Sequence, residues 1–134
     1  MPKKILFVCA ENAGRSQMAK EFFNSYAKEK ELGWSAESAG TMPAKKINPD
    51  VEKVMAEIGL ELSDAKTKIF KKENAGNYAK IISFGCIVKS TLPNNVQGKI
   101  EEWHIDDPHG KNLDEIRKIR DEIKCRVIEL AKNF

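Results

Sequence analysis

The run Lys4-Ile5-Leu6-Phe7-Val8 leads straight into Cys9-Ala10-Glu11-Asn12-Ala13-Gly14-Arg15-Ser16, and then into Met18, Ala19, Phe22, Phe23 and Tyr26 at helical spacing. An Ile-Leu-Phe-Val strand shows no polar alternation, so neither of its faces can be left to water. Such a strand belongs inside a parallel sheet covered on both sides. The amphipathic helix starting near Ser16 supplies one cover. The short turn between them, with small Ala13 and Gly14, aims backbone N–H groups and the positive end of the helix dipole at one point. Those dipoles favour the thiolate form of Cys9 near neutral pH. Arg15 offers a planar fork that can grip two oxygens of a tetrahedral oxyanion. The plainer reading makes Cys9 a buried strand-end thiol and Arg15 a solvated helix-start charge. The strand–turn–helix setting weighs against it.

The rest of the chain repeats the alternation. Trp34–Ala39 reads as a second strand ending at Gly40, and Asn48-Pro49 as a cap followed by proline at the first helical position. That helix carries Val51, Val54, Met55 and Ile58 on one face and stops at Gly59. Residues 62–77 form a looser segment with weak helical character over Thr67–Glu73. Lys80–Phe84 is the third strand, closed by Gly85-Cys86, and Lys99–Trp103 a shorter fourth near the sheet edge. After the loop Ile105–Gly110, Asn112 and Glu115 form a capping box for the last helix, whose buried stripe is Ile116, Ile119, Ile123, Val127 and Leu130. Strands alternating with helices predict an α/β fold: a parallel sheet with helices on both faces and right-handed crossovers, in a single domain spanning residues 1–134. Ligands in such sheets bind beyond the carboxyl ends of the strands. Cys9, Gly85-Cys86 and the Asp106-Asp107-Pro108 loop all follow strand ends and are expected on one rim.

Composition narrows the function classes. A formal charge of +3 over 134 residues is too mild for a nucleic-acid partner. The cluster Lys66, Lys68, Lys71 and Lys72 reads first as a solvated face and second as a rim that attracts anions. No run approaches the roughly 20 apolar residues of a membrane span, and the first strand begins too early to leave room for a signal peptide. Three cysteines without framework spacing fit a reducing, cytoplasmic setting. His104 and His109 lack zinc spacing, so neither metal nor other cofactor is expected.

The rim residues then take chemical roles. Cys9 is the nucleophile, because a thiolate attacks well at pH 7. Arg15 and the amides of the 9–16 loop hold the oxyanion, with Ala10, Glu11, Asn12, Ala13, Gly14 and Ser16 as binding and supporting residues. Asn12 either braces the loop through its side chain or simply supplies a left-handed turn position, and the two are compatible. Ser16 either donates to the Cys9 sulfur, caps the helix, or does both. Asp107, on a turn restricted by Pro108, is favoured over Asp106 as the acid for the leaving oxygen; both also suit ordinary turn formers. Cys86 is either an inert core thiol or, beside Cys9, a thiol that attacks a Cys9 adduct and forms a disulfide. Cys125 projects opposite the last helix's buried stripe and is expected on the surface, without a catalytic role.

The string Asn12-Ala13-Gly14-Arg15-Ser16-Gln17-Met18-Ala19 resembles the arsenate reductases that share the low-molecular-weight protein tyrosine phosphatase fold. The resemblance extends through Ser38-Ala39-Gly40, Gly85-Cys86, Trp103, Asp106-Asp107-Pro108 and Gly110. It implies a three-layer, four-stranded parallel sheet flanked by helices, and no catalytic metal. It implies that Cys9, Arg15 and Asp107 are nucleophile, anion grip and general acid. Cys86 matches the family's first redox cysteine. Thioredoxin-coupled members carry a further cysteine shortly after that one; here the run Cys86–Pro93 has none, and Ser90 falls near its place. Lys20 stands where some members carry an acidic residue linked to a potassium site, so that ion is not expected. Glu11 adds a carboxylate at the loop, which must point outward to spare an anionic substrate.

The leading reading is an arsenate reductase of arsenical resistance. It takes arsenate or a phosphate-like oxyanion, and oxidised Cys9 is resolved by Cys86, through a redox-active disulfide, or directly by an external thiol such as thioredoxin. The alternative is a low-molecular-weight protein tyrosine phosphatase acting through a cysteinyl-phosphate on Cys9. Gln17 and the lack of tyrosine near Pro108 lean away from it. A reversible oxyanion or redox sensor is the third reading, and it leaves Asp107 without a purpose.

Overall fold

Strand β1 (Lys4–Cys9) occupies the interior position its apolar sequence demands, in a computed structural model that describes residues 3–62, 65–87 and 89–134. Met1, Pro2, Ser63 and Asp64 of the looser segment, and Val88 of the 86–93 run, lie outside the described residues. β1 pairs in parallel with β2 (Ser35–Gly40) on one side and β3 (Lys80–Ser83) on the other, and β3 pairs with β4 (Ile100–Glu102). The four-stranded order is β2-β1-β3-β4. Successive side chains of a strand alternate between faces. Ile5, Phe7 and Cys9 therefore share one cluster with Met18, Phe23, Met55, Trp103 and Ile123, while Leu6 and Val8 share the other with Ala39, Tyr78, Ile81 and Val96.

Helices α1 (Arg15–Glu29), α2 (Pro49–Ala56) and α4 (Leu113–Ala131) cover the first face. The second face has a thinner cover: a turn of 3-10 helix at Lys72–Asn77 and the four-residue α3 (Asn94–Gln97). The Asn48 side chain accepts from the Asp50 N–H at 2.9 Å, and the Asn112 side chain from the Glu115 N–H at 2.9 Å, so both expected caps form. Ile116, Ile119, Ile123, Val127 and Leu130 are all buried along α4, and Cys125 is exposed.

Three local expectations are corrected. α2 ends at Ala56, so Ile58 falls beyond it and is 40% exposed. Phe84 and Trp103 lie just past β3 and β4 rather than within them, and Trp34 precedes β2. Over Thr67–Glu73, the expected helical character is replaced by extended backbone up to Phe70. There Lys68 O accepts from the Gly40 N–H at 2.8 Å and the Phe70 N–H donates to Gly40 O at 2.7 Å. The open hydrogen bonds of an edge strand outweigh weak local helix propensity. Farther along the same edge, the Asn24 amide pairs with both Ala36 N–H (2.7 Å) and Ala36 O (3.0 Å), imitating another strand.

Candidate active site

The 9–16 loop is held from outside by its carbonyls. Thr41, Met42, Ala44 and Asn48 donate their backbone N–H groups to the carbonyls of Cys9 (3.2 Å), Ala10 (2.8 Å), Glu11 (2.9 Å) and Ala13 (2.9 Å). The Gln17 side chain and the Met18 amide take the carbonyls of Asn12 and Gly14, each at 3.0 Å. Every carbonyl from Cys9 to Gly14 thus has an outward partner. The amides of Glu11 to Gly14 make no hydrogen bond to protein among the described residues. Turning all carbonyls out leaves the N–H groups to converge inward, the arrangement that binds an oxyanion. Asn12 sits at φ 54°, the left-handed conformation that lets the chain curl this tightly.

Beneath the loop, side chains fix the nucleophile. Asn12 Oδ1 accepts from the Lys68 backbone N–H at 3.0 Å, so its Nδ2 must face Ser16 Oγ, 2.7 Å away. Ser16 Oγ accepts that bond and lies 2.9 Å from Cys9 Sγ, which leaves its own hydrogen free to donate to the sulfur. Asn12 and Ser16 are fully buried. Asn12 is therefore both brace and left-handed residue. Ser16 is not a cap: α1 is preceded by Gly14 without a side-chain cap bond, and Ser16 lies inside the first turn. Gln17, equally buried, donates to Asn12 O and Lys66 O while its Oε1 has no protein partner among the described residues.

A cleft of about 360 Å³ opens over the loop, lined among others by Cys9, Ala13, Gly14, Arg15, Lys46 and Asp107. Arg15 is preset for ligand: Nη1 donates to Ile105 O at 2.9 Å, the guanidinium stacks 5.7 Å from the centre of the Phe84 ring, and Nη2 lies 3.8 Å from Asp107 Oδ2. Asp107 is anchored by accepting the His109 N–H at 3.0 Å, yet its side chain is 56% exposed at the cleft. Pro108 packs on the loop so closely that a Cβ on Gly14 would come 2.8 Å from Pro108 Cγ. Asp106 is exposed and does not line the cleft, and Glu11 reaches it only as an exposed residue.

Cys86 is not in the cleft wall. Its sulfur donates to Val8 O at 3.4 Å, beside the nucleophile in sequence, and sits 3.7 Å from Ser83 Oγ. It packs with Leu6 and Val8, on the sheet face opposite the Cys9 cluster. Burial pushes the Cys86 thiol up, the Ser83 hydroxyl works against that, and the negative charges of Cys9 and Glu102 push it further up.

A sequence profile described as low molecular weight phosphotyrosine protein phosphatase matches residues 4–134. The chain belongs to this family. It is 33% identical to the glutaredoxin arsenate reductase of Synechocystis over 129 residues, 96% of this chain and 95% of the relative. A solved arsenate reductase in its phosphate-binding state matches with a TM-score of 0.83 at 31% identity, over 98% of each chain. The low molecular weight protein tyrosine phosphatase of T. tengcongensis matches with a TM-score of 0.88 at 25% identity, over 98% of this chain and 99% of the other.

In this member of the phosphatase family, Cys9, Arg15 and Asp107 meet as expected, and Ala13, Gly14 and Glu11 join them in the cleft. Ala10, Asn12 and Ser16 support the loop without lining the cleft. Residues 41–48, Ile105 O, Phe84 and the Lys68 amide were not foreseen in these roles. Most act through backbone atoms, which leave no residue-type signature.

Proposed function

We propose that this family member is a cytoplasmic arsenate reductase acting in arsenical resistance. The Cys9 thiolate, steadied by the Ser16 hydroxyl, attacks arsenate held by the loop amides and Arg15. A hydroxyl of arsenate leaves as water with a proton from Asp107. Cys86 gives up its proton and its sulfur attacks the Cys9 sulfur. The sulfur–arsenic bond breaks with its electron pair going to arsenic, and arsenite leaves. Cys9 and Cys86 remain as a disulfide, two electrons poorer, until thioredoxin or another dithiol reduces it. The observation that carries this reading is Cys86, a second thiol bonded to the Val8 carbonyl immediately before the nucleophile. A hydrolytic phosphatase has no use for it. The names of the Synechocystis relative and of the phosphate-bound structure support the same substrate class.

Phosphatase action on an aryl ester is the second reading, favoured by the fit to the T. tengcongensis enzyme. The cleft argues against it, because no Phe, Tyr or Trp among the described residues lines it to flank an aromatic ring. Reduced protein given arsenate, with and without thioredoxin and its reductase, should release arsenite. The same protein given an aryl phosphate should turn over slowly. Cys9→Ser should abolish both activities, and Cys86→Ser only arsenite release, with or without thioredoxin. Arsenite release unchanged in Cys86→Ser would show that Cys9 is resolved by the external thiol alone.

A further inference from the structure

Glu102, at the end of the edge strand β4, has an unusual partner. Its Oε2 accepts the N–H of Gly85 at 2.9 Å, and Gly85 sits at φ 79°, a conformation that suits glycine. The next residue is Cys86, whose N–H donates to Ser83 Oγ at 3.3 Å and whose thiol donates to Val8 O at 3.4 Å. The turn carrying the second thiol is thus pinned at three points: to β4 through Glu102, to β3 through Ser83 and to β1 through Val8. That seat lies with Leu6 and Val8, whereas Cys9 clusters with Ile5 and Phe7 across the sheet. Both cysteines are free thiols, so forming a bond between them requires Cys86 to give up its hydrogen bond to Val8 O.

We propose that Glu102 is a positioning residue for Cys86: its carboxylate latches the Gly85-Cys86 turn to β4 and keeps the second thiol seated on Val8 O until Cys9 has formed its adduct. The inference rests on the reading of Cys86 as the thiol that resolves the Cys9 adduct. The charges facing the Cys86 sulfur support it. Among the described residues these are the Cys9 thiolate from β1 and Glu102 from β4, both opposing a charge on Cys86, with the Ser83 hydroxyl and the Phe84 amide favouring one. Once Cys9 has formed its adduct, the thiolate charge is gone from its sulfur, and Glu102 is the remaining nearby carboxylate restraint on Cys86. Disulfide formation then takes place only on the adduct, whose arsenic accepts the two electrons, and the latch sets how readily Cys86 leaves its seat to attack.

The test uses Glu102→Gln, which keeps an acceptor for Gly85 but loses the charge, and Glu102→Ala, which loses both. In a Cys9→Ser background, Cys86 alkylation by iodoacetamide is followed by peptide mass mapping from about pH 6 to 10. Both variants should shift the alkylation profile to lower pH, with alkylation at pH 7 faster by about threefold or more. With Cys9 present and arsenate added, the Cys9–Cys86 disulfide should form faster by a similar factor, while aryl phosphate hydrolysis is unchanged. Profiles of Glu102→Gln that overlay the parent overturn the latch, whatever becomes of Glu102→Ala. A shifted profile in a protein whose wild type forms no Cys9–Cys86 disulfide with arsenate overturns the resolving role of Cys86 instead.

Discussion

The Asn12 amide donates to the Ser16 hydroxyl at 2.7 Å, and this bond decides where the serine hydrogen points. With one lone pair of Ser16 Oγ occupied and the Asn12 oxygen committed to Lys68 N–H, the hydroxyl hydrogen is left for Cys9 Sγ at 2.9 Å. The nucleophile is thus oriented from the strap at residues 66–70, through two fully buried side chains.

Ser16→Ala removes the donor to the thiolate. A hydrogen bond to a charged group contributes about 1.5–3 kcal/mol, so kcat should fall by about tenfold to a hundredfold while the fold persists. Asn12→Asp puts an acceptor where a donor stood, pulls the serine hydrogen away from Cys9 and should be at least as damaging. Steady-state rates with an aryl phosphate check both, and an Asn12→Asp enzyme of parental activity would sink the relay.

The acid is tested by a pair. Asp107 faces the cleft 3.8 Å from Arg15 Nη2, whereas Asp106 does not line it. Asp107→Asn keeps an acceptor for the His109 N–H but cannot deliver a proton. Turnover should drop by about a hundredfold or more, in line with general acid contributions, and Asp106→Asn should stay near the parent. The two variants ranking the other way would move the acid to Asp106.

Much of this architecture was legible because it is local. An Ile-Leu-Phe-Val run can only be interior, Asn48-Pro49 and Asn112 with Glu115 write their caps in adjacent residues, and the Ile116–Leu130 stripe repeats at helical spacing. The cysteine–arginine loop announced itself through residue types that chemistry requires. Relations made by backbone atoms across the sequence stayed hidden. The donors at residues 41–48 that turn the loop carbonyls outward could have almost any side chain. The 66–70 strap is extended because β2 offers free edge groups, a tertiary cause that no window over Thr67–Glu73 contains. Cys86 was expected on the rim from its place after β3; that it packs on the far face follows from the turn at Gly85, not from the strand.

Glu37 reports on the same strap through acid stability. Tyr78 OH donates to its carboxylate at 2.7 Å, burial opposes, and Lys68 and Lys4 add their charge, so its pKa drops to about 2. A carboxyl whose folded pKa lies below its unfolded value stabilises fully above the unfolded pKa of about 4.3 and loses that contribution as pH falls toward the folded one. Acid titration of stability should therefore show a component between about pH 4.5 and 2 that Glu37→Gln removes. Partial exposure screens the cluster, so the component should be about 1 kcal/mol. Coincident acid-unfolding curves for parent and Glu37→Gln would remove Glu37 from the balance.

Gly40 tests how tightly the loop is wrapped. A Cβ there would meet Ala10 O at 2.7 Å, Asn12 N at 2.9 Å and Asn12 Cβ at 2.9 Å. Two of those are backbone atoms, and moving them moves the loop that carries Cys9. Ala10 O also holds the Met42 N–H at 2.8 Å, and Gly40 itself accepts Phe70 N–H at 2.7 Å, so the strand cannot back away without breaking the strap. Overpacking of this kind costs about 1–3 kcal/mol, which for a chain of this size lowers Tm by roughly 4–12 °C. Because the displaced atoms belong to the loop beneath Cys9, Gly40→Ala should lose kcat by about tenfold or more at a temperature where it is still folded. Gly76→Ala is the control: none of the described residues lies within 4 Å of its Cβ, so that variant should match the parent in Tm and rate. Calorimetry and steady-state assays on both proteins decide the matter, and a Gly40→Ala enzyme as fast and as stable as Gly76→Ala would mean that β2 and the loop are not in the contact described.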